Sequence, residues 1–293
     1  MKHRMFGRFS PFEHHINCAY GGIMKLRILG RLSLSVNGVD YTPTAPKLRH
    51  LLALFMINSN EVVSVDCCID ELWPTDPPKS ALSTLQTYTL QLRKVLRSIP
   101  MSAISPDAAL ELRTRHQGYQ LVIPRESLDK ELFDRLVETA REELGRDNVR
   151  RASTLFHSAL RLCEEPVLAD VRPGPSIAAY RLEIKETRFS VLGERIDADL
   201  RLGRHRAVIA ELRQLICAHP MDENIHAQLM VAHYRSGQRA ESVMVFHRLR
   251  RTLAEDLGLE PSPQTKRLFE AILKTDKLPT VEVPDSLSGL RLA

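Results

Sequence analysis

Two glycines 34 residues apart place the strongest constraint on how the second half of this chain can fold. Gly203 lies in LRLGRH and Gly237 in YRSGQR, and each interrupts a pattern that is typical of helices. Pro220 follows Gly203 by 17 residues, at a place where it would end a helix. A repeat of this length with a break at its midpoint is typical of paired helices that stack on one another. We therefore predict helical hairpins in this half.

Residues at the expected helix crossings support the repeat. Ala152, Phe156 and Ala159 have the spacing that tetratricopeptide repeats use, because small residues let two helices approach and a large one fills the gap. The match is degenerate, since His226 and His233 stand where aromatic residues are usual. The sequence predicts helices near 130–145, 148–163, 177–202, 205–218, 222–236, 238–256 and 263–274.

The first half combines a small sheet with three helices. Residues 25–29 and 32–36 alternate apolar and polar side chains, and Asn37-Gly38 favours a tight hairpin to a return strand at 39–41. We then predict helices over 46–58, 65–72 (capped by Ser64) and 79–97, followed by strands over 110–113 and 119–122 that are joined through residues 114–118. The second hairpin would have a basic tip.

The third of these helices has two different sides. The spacing predicts one apolar stripe, formed by Leu82, Leu85, Leu92 and Leu96. The opposite side is polar, nearly free of acidic residues, and basic towards its end. A long helix with such a side is suited to the major groove of DNA.

Composition and charge exclude several classes of protein. At 43% hydrophobic and 26% charged residues, 293 residues suit two globular domains with a tail. No stretch approaches the apolar length of a membrane span, and no secretory signal is recognisable, so we expect a cytoplasmic, nucleoid-associated protein without membrane contact. Residues 24–124 contain eleven basic and eight acidic side chains, whereas 125–293 contain twenty-seven of each. This asymmetry favours a nucleic-acid contact at one end.

The sequence indicates neither a metal site nor a catalytic centre. The five cysteines are scattered without a CxxC pair, and we interpret them as small buried or half-buried thiols in a reducing compartment. The histidines of the helical half are too dispersed for metal ligation. No phosphate-binding loop, nucleophile elbow or pair of catalytic carboxylates stands out. We predict no cofactor and no enzyme activity.

Taken together, these stretches resemble the Streptomyces antibiotic regulatory protein family of transcriptional activators over nearly all of residues 24–274. The matching segments are KLRILGRLSLSVNG, PKLRHLLALF, VVSVDCCIDELWPTDPP, LQTYTLQLRKVL, GYQL, ALRLCEEPVLADV, RIDADLRLGRH, HPMDENIHAQLMVAHYRSGQRAES and LAEDLGLEPSP. Two features depart from the family: Cys67-Cys68 replaces a basic and an aliphatic residue, and residues 1–23 have no counterpart, so that either Met1 or Met24 is the start.

The resemblance implies a mainly α fold with a small β component. A winged-helix DNA-binding domain of the response-regulator output type would occupy 24–124, and an all-α, tetratricopeptide-like bacterial transcriptional activator domain 125–275, with a disordered extension at 1–23 and a flexible tail at 276–293. Family members bind direct repeats upstream of biosynthetic gene promoters and recruit RNA polymerase holoenzyme with its sigma factor. A homodimer on double-stranded DNA is therefore expected. The chain has no recognisable phosphate-binding loop, and in this respect it resembles the short members of the family.

Candidate DNA-binding residues follow from the helix and the hairpin. We predict base contacts from Ser83, Thr87, Tyr88 and Gln91, phosphate contacts from Lys47, Arg49, Lys79, Arg93 and Lys94, and contacts of the wing from Arg113, Arg115 and His116. Two alternatives stay open: Tyr88 packs against the wing, and Arg93 pairs with Glu71. Gly118 and Tyr119 are interpreted as structural, and the RLRR run at 248–251 as a solvated helix face that contacts DNA or polymerase only as a lesser alternative.

The proline-rich loop before the third helix has a second interpretation. Trp73 most simply anchors the core, yet by resemblance the loop faces RNA polymerase, which makes Trp73, Thr75 and Asp76 candidate polymerase contacts. A competing function for the whole chain is a helical-repeat adaptor that does not bind specific DNA. Such an adaptor would not shift a promoter fragment in a gel.

Overall fold

The computed structural model describes residues 24–100, 110–124, 126–163 and 166–274. The predicted extension at 1–23 and the predicted tail at 276–293 lie outside these residues. Within them the chain divides into two compact units, one comprising residues 24–135 and 161–186 and the other residues 136–160 and 187–274.

The first unit begins with an antiparallel sheet that the sequence predicts closely. Its strands, in the order β1-β2-β3, are β1 (Met24–Arg27), β2 (Ser33–Val36) and β3 (Val39–Asp40). Asn37-Gly38 forms the turn, with Val36 opposite Val39. Leu26 and Leu34 face each other across the strands and are fully buried, which explains the alternation.

Three helices follow the sheet, within one or two residues of their predicted bounds. They are α1 (Pro46–Ile57), α2 (Val65–Leu72) and α3 (Ala81–Arg97). Pro46 occupies the first turn of α1, and the Ser64 hydroxyl accepts from the Cys67 N–H at 3.1 Å at the start of α2. Leu51, Leu52 and Phe55 of α1 are buried and form the centre of this core.

A second sheet differs from the sequence prediction in two respects. It contains β4 (Val62–Ser64), β5 (Glu111–Arg115) and β6 (Gly118–Val122) in the order β4-β6-β5. Strand β4 was not predicted. The predicted loop at 114–118 is also wrong, because Arg115 pairs with Gly118 and only His116 and Gln117 form the turn. The hairpin is therefore longer and tighter than expected.

Gly118 fixes the register of this sheet. A Cβ atom at this position would lie 2.0 Å from the Val63 carbonyl oxygen, so the close approach of β6 to β4 requires glycine. The neighbouring Tyr119 ring packs on Phe55 with centroids 6.1 Å apart. Both residues have structural roles, as predicted, although Gly118 is required by the close approach to β4 and not by the turn.

A segment from the second half of the sequence belongs to the first unit. The Leu168 N–H donates to the Gly30 carbonyl at 2.6 Å, and the Leu32 N–H donates to the Asp170 carboxylate at 3.0 Å. Asp129 similarly accepts from the N–H groups of Ile28 and Leu29. Burial raises the pKa of Asp129 to about 6, although these hydrogen bonds act in the opposite direction.

The remaining helices agree with the sequence prediction. They are α4 (Asp129–Gly145), α5 (Val149–Leu162), α6 (Pro175–Arg201), α7 (His205–Ala218), α8 (Glu223–Arg235), α9 (Arg239–Leu257) and α10 (Pro263–Lys274). Gly203 and Gly237 have φ angles of +79° and +80°, which explains why glycine recurs at both junctions. Ala152 and Phe156 are fully buried, as the tetratricopeptide-like spacing requires. The mainly α fold with small sheets is confirmed.

The core of the second unit is formed by the inner sides of its helices. Leu212, Leu229 and Phe246 are buried within it, and Phe246 stacks on Phe269 at 3.9 Å between centroids. Ser242 is fully buried, and its hydroxyl donates to the Met230 carbonyl at 2.9 Å. Serine can therefore replace the usual alanine here without leaving a buried hydroxyl group that lacks a hydrogen bond. No helix in the described part of the chain is long and apolar enough to cross a membrane.

Candidate nucleic-acid interface

Helix α3 has a buried side that anchors it and an outer side that is free of acidic residues. The buried side consists of Ala81, Leu85, Thr89, Leu92 and Leu96. Neither Asp nor Glu occurs between Ala81 and Arg97, and Lys94 and Arg97 stand in the last turn. The outer side therefore presents neutral polar groups followed by positive charge, which suits a polyanion.

The outer side contains most of the predicted base-reading residues. Ser83, Thr87 and Gln91 are exposed and lie at helical spacings of four, and Lys94 follows on the same side. The hydroxyl groups of Ser83 and Thr87 donate to the carbonyls of Ser80 and Ser83, each at 3.0 Å. Their oxygens remain able to accept, and the Gln91 amide both donates and accepts.

Two leucines on α3 are exposed, and one of them was predicted to belong to the apolar stripe. Leu82 was expected to be buried but is 50% exposed, because the buried side is centred on Leu85, Leu92 and Leu96 and excludes it. Leu90, which sequence analysis did not single out, is 51% exposed. It lies three residues after Thr87 and four before Lys94, and this spacing is the signal that would have placed it on the outer side.

Tyr88 packs against Trp73 and not against the wing. Its ring stacks on Trp73, with centroids 6.5 Å apart and an angle of 21° between the planes. The Lys47 Nζ atom lies 5.2 Å from the Trp73 ring centroid. The packing alternative considered for Tyr88 is thus correct in kind, but the neighbour is Trp73.

Lys47 also has an internal partner. Its Nζ donates to the Leu72 carbonyl at 2.6 Å, at the end of α2. Burial lowers the pKa of Lys47, and the positive charge of Arg172 lowers it further. A phosphate contact by Lys47 stays a prediction, and it would have to compete with these contacts.

Arg93 links α3 to the hairpin. Its Nε donates to the Leu112 carbonyl at 2.9 Å, and its Nη2 to the Thr114 hydroxyl at 2.7 Å. The guanidinium carbon lies 5.9 Å from the Tyr119 ring centroid. The alternative of an ion pair with Glu71 is wrong, because Glu71 is bonded elsewhere. Arg93 fixes the position of the hairpin relative to the helix.

The remaining predicted phosphate contacts differ in their surroundings. Arg49 forms an ion pair with Asp170 and donates to the Pro43 carbonyl at 3.1 Å, so it is part of the framework of the unit. Lys79 is exposed immediately before α3. Lys79 and Lys94 are therefore at either end of the helix, both open to solvent.

The hairpin places its cations at and near its tip. Arg113 donates to the Glu111 carboxylate at 2.8 Å, and this bond lowers the pKa of Glu111. The Arg115 Nε donates to the Gln120 side chain at 2.8 Å, and Gln120 in turn donates to the Asn60 carbonyl at 2.7 Å. His116 is exposed in the turn itself. This relay holds the tip without neutralising Arg115.

The proline-rich loop leaves α2 beside a cleft. Thr75 and Asp76 are exposed, whereas Trp73 is half-buried. The cleft has a volume of about 320 Å³ and is lined by side chains of α1, of the loop and of Arg172-Pro173. Trp73 packs on Tyr88 and is not part of the buried core, so the expected core-anchoring role is wrong, and the two polar residues after it are exposed.

A buried carboxylate joins the end of α2 to the start of α6. Glu71 is 1% exposed and accepts from the N–H groups of Gly174 at 2.9 Å and Ser176 at 2.6 Å, where α6 begins. The His50 Nε2 atom lies 3.0 Å from the same carboxylate. Burial raises the pKa of Glu71, but these hydrogen bonds outweigh it and hold the pKa below its usual value. Sequence analysis did not find this cluster, because its members are about a hundred residues apart.

The histidines and cysteines have structural surroundings. His226 and His233 are buried, and each ring is hydrogen bonded, to the Asp222 carbonyl at 2.8 Å and the Gln238 amide oxygen at 2.7 Å. Burial raises the pKa of Cys68 to about 12, with further contributions from Cys67 and Glu71. Cys217 is exposed, so the expectation of buried thiols is wrong there. The described residues contain no cluster able to hold a metal ion.

The RLRR run is a solvated helix face, as predicted. Leu249 is buried, while Arg248, Arg250 and Arg251 are exposed on α9. Arg250 pairs with Glu260 at 3.1 Å.

Comparison with known proteins agrees with this architecture. A family model described as the bacterial transcriptional activator domain matches residues 128–273. The chain is 39% identical to the regulatory protein DnrI of Streptomyces peucetius over 253 residues, which is 86% of this chain and 93% of DnrI. It is 32% identical to the regulatory protein AfsR of Streptomyces coelicolor over 87% of this chain, but only 25% of AfsR is covered.

A solved structure is similar as well. That structure is Mycobacterium tuberculosis EmbR in complex with a low affinity phosphopeptide, with a TM-score of 0.79 and 31% identity over 88% of this chain and 67% of that chain. The likeness extends over a winged helix followed by tetratricopeptide-like helices. The chain belongs to the Streptomyces antibiotic regulatory protein family of transcriptional regulators.

Proposed function

We propose that this regulator binds promoter DNA with α3 in the major groove and activates transcription of a biosynthetic gene cluster for a secondary metabolite. The observation that carries the proposal is the outer side of α3. It is exposed, free of acidic residues and neutral at Ser83, Thr87 and Gln91, with Lys94 at its end. Neutral polar groups read base edges, and flanking cations hold phosphates.

The hairpin supplies the second contact in this proposal. Arg115 and His116 are exposed at its tip and reach a minor groove or the phosphate backbone beside the bound helix. We assign Arg93 to the hairpin and not to DNA, because its Nε donates to the Leu112 carbonyl and its Nη2 to the Thr114 hydroxyl. Arg93 is a positioning residue.

Binding to direct repeats requires two protomers side by side on DNA. We infer this arrangement from the family, whose members act at direct repeats near promoters. Footprinting of the purified protein on DNA flanking its own gene tests it, and two protected segments of equal length in the same orientation are expected. A single protected segment would reject the paired arrangement without rejecting DNA binding.

The decisive experiment replaces the outer side of α3. The triple variant Ser83→Ala, Thr87→Ala, Gln91→Ala removes neutral polar groups without touching the core, and affinity for the footprinted DNA should fall at least about tenfold. Tyr88 is left intact because it stacks on Trp73. Fluorescence anisotropy with labelled duplex measures the change.

A matched control separates base contacts from loss of helix stability. The Thr154 hydroxyl on α5 donates to the carbonyl four residues earlier at 3.0 Å, the same bond that Thr87 makes. Thr154→Ala should leave DNA affinity unchanged. If the triple variant binds as the wild type does while keeping its fold, the proposal is wrong, and the adaptor interpretation gains support.

The salt dependence of binding gives an independent test. About four to six phosphate contacts predict a slope of roughly −4 to −5 in a plot of log affinity against log salt concentration. A flat response would contradict binding to the phosphate backbone.

The loop at 73–78 is proposed to contact RNA polymerase holoenzyme. Asp76 and Thr75 are exposed, and Trp73 stacks on Tyr88. Asp76→Asn should reduce transcription in a purified system with polymerase and sigma factor while DNA affinity stays constant. Asp70→Asn, which removes an exposed carboxylate from α2, is the control and should leave both unchanged. Loss of DNA affinity together with transcription would reject a polymerase contact.

A further inference from the structure

A cationic cavity lies in the second unit. It is lined by residues 203–207 and 235–236, where the turn between α6 and α7 meets the end of α8, and its volume is about 380 Å³. Small-ligand sites in proteins start at about 300 Å³. The cavity is therefore large enough for a small molecule.

The residues that line the cavity include basic side chains and no acidic ones. Three of its seven residues are arginines, Arg204, Arg206 and Arg235, and none is Asp or Glu. Arg204 is held by the Asp199 carboxylate at 2.7 Å and by Ser153. Arg206 and Arg235 make no ion pair with any described residue. Two guanidinium groups are thus available to a ligand.

The positive end of helix α7 adds to this charge. The first N–H groups of a helix have no partner within the helix, and anions are favoured near them. In α7 the cap residue is Arg204, which makes no capping bond, and the first turn contains no acidic residue. Arg206 therefore stands next to a positive helix end, an arrangement that is unfavourable until an anion neutralises it.

Two polar side chains in the wall also lack partners. The Ser236 Oγ and His205 Nδ1 atoms are shielded from solvent and have no hydrogen bond among the residues that the structure describes. Burial lowers the pKa of His205, and Arg235 lowers it further, which indicates that Arg235 acts on the imidazole ring. An anion between the arginines would weaken the effect of Arg235 on the ring.

We infer that this cavity binds a small molecule through a phosphate group. Guanidinium groups match the oxygens of phosphate in pairs, and N–H groups at a helix end supply further donors. A single phosphate leaves part of the cavity for the rest of the ligand. The inference does not depend on how α3 binds DNA.

The test titrates the full-length protein with inorganic phosphate and with pyrophosphate at constant ionic strength. Backbone amide signals in an NMR spectrum should shift in a saturable way for residues 203–207 and 235–236, and the melting temperature should rise as the anion binds the folded state. The double variant Arg206→Gln, Arg235→Gln should bind at least about tenfold more weakly.

A control variant tests whether the effect is local. Arg213→Gln removes an exposed charge further along α7, and its phosphate affinity should equal that of the wild type. Three results would overturn the inference: shifts that do not saturate, equal weakening in the control and the double variant, or shifts of these amides with duplex DNA but with neither phosphate compound. The last result would assign the cavity to a nucleic-acid backbone.

Discussion

The α1–α2 side and the α3–hairpin side of the first unit use similar charged residues in different ways. On the first side, Lys47, Arg49 and Glu71 are all bonded to backbone groups or opposite charges inside the unit. On the second, Lys94 and His116 are exposed. A basic residue on the first unit is therefore a stronger candidate for a DNA contact where the fold leaves its side chain exposed and outside an ion pair.

Glu71→Ala should have the largest effect on stability, because it removes a central hydrogen-bond acceptor from the α1–α2 side. Removal of the carboxylate leaves N–H groups at the start of α6 without an acceptor, so the free energy of unfolding should fall by about 3 kcal/mol or more. Urea denaturation followed by the fluorescence of Trp73, the single tryptophan of the chain, measures the change.

The control and the pH dependence make this prediction specific. Asp70→Ala removes an exposed carboxylate from the same helix and should change stability by less than about 0.5 kcal/mol. Because the pKa of Glu71 is lowered in the folded state, its contribution is present above the unfolded pKa of about 4.3 and is lost as the pH falls through the folded value. A difference between wild type and variant that does not shrink in acid would contradict the assignment.

Arg93→Gln should have the second largest effect, because Arg93 joins α3 to the hairpin. Loss of the bonds to Leu112 and Thr114 should lower the free energy of unfolding by about 1 kcal/mol. DNA affinity should fall through misplacement of the hairpin, while the salt slope stays the same. A slope that decreases by about 1 would instead assign Arg93 to a phosphate.

Lys94→Gln is the comparison for Arg93→Gln, because Lys94 is the next residue on α3 and its side chain is exposed. Since Lys94 makes no internal contact in the described structure, unfolding should be unchanged within about 0.5 kcal/mol. The salt slope of DNA binding should decrease by about 1, as expected for one lost phosphate contact. Anisotropy titrations at several salt concentrations measure both affinity and slope. An unchanged slope would remove Lys94 from the interface.

Lys47→Gln should have the smallest effect on DNA binding. Glutamine can still donate to the Leu72 carbonyl, so stability should change by less than about 1 kcal/mol, and the salt slope should not change. Lys79→Gln, at an exposed position before α3, is the comparison and should lower the slope. If both variants lower it equally, the internal contacts of Lys47 do not prevent it from reaching DNA.

Much of the fold follows from local signals in the sequence. The bounds of α2 follow from Ser64 and Trp73-Pro74, and the α6–α7 junction follows from Gly203, because caps and breakers act within a few residues. The hairpin register did not follow, since it depends on Gly118 meeting Val63, which is 55 residues earlier. Pairings over such distances leave no local pattern.

The candidate site is predictable to a similar degree. Helical periodicity placed Ser83, Thr87 and Gln91 on one exposed side. It could not reveal that Arg93 donates to a backbone carbonyl. Every residue has a backbone carbonyl, so the sequence does not show which one accepts the hydrogen bond. The exposure of Leu82 was missed because the predicted stripe began at Leu82, whereas the buried side of the helix begins one residue earlier, at Ala81.

The tight approach at Gly118 has a consequence for how operator preference can diverge among related regulators. Since no side chain fits at this position, the hairpin cannot slide by one residue along its neighbour, and the reach of its two-residue tip is constant. In the proposed complex, substitutions at His116 and Gln117 would therefore change only the chemistry that the tip presents to the duplex. The tip is thus an interchangeable module, and exchanging it between paralogues is a direct route to regulators with altered targets.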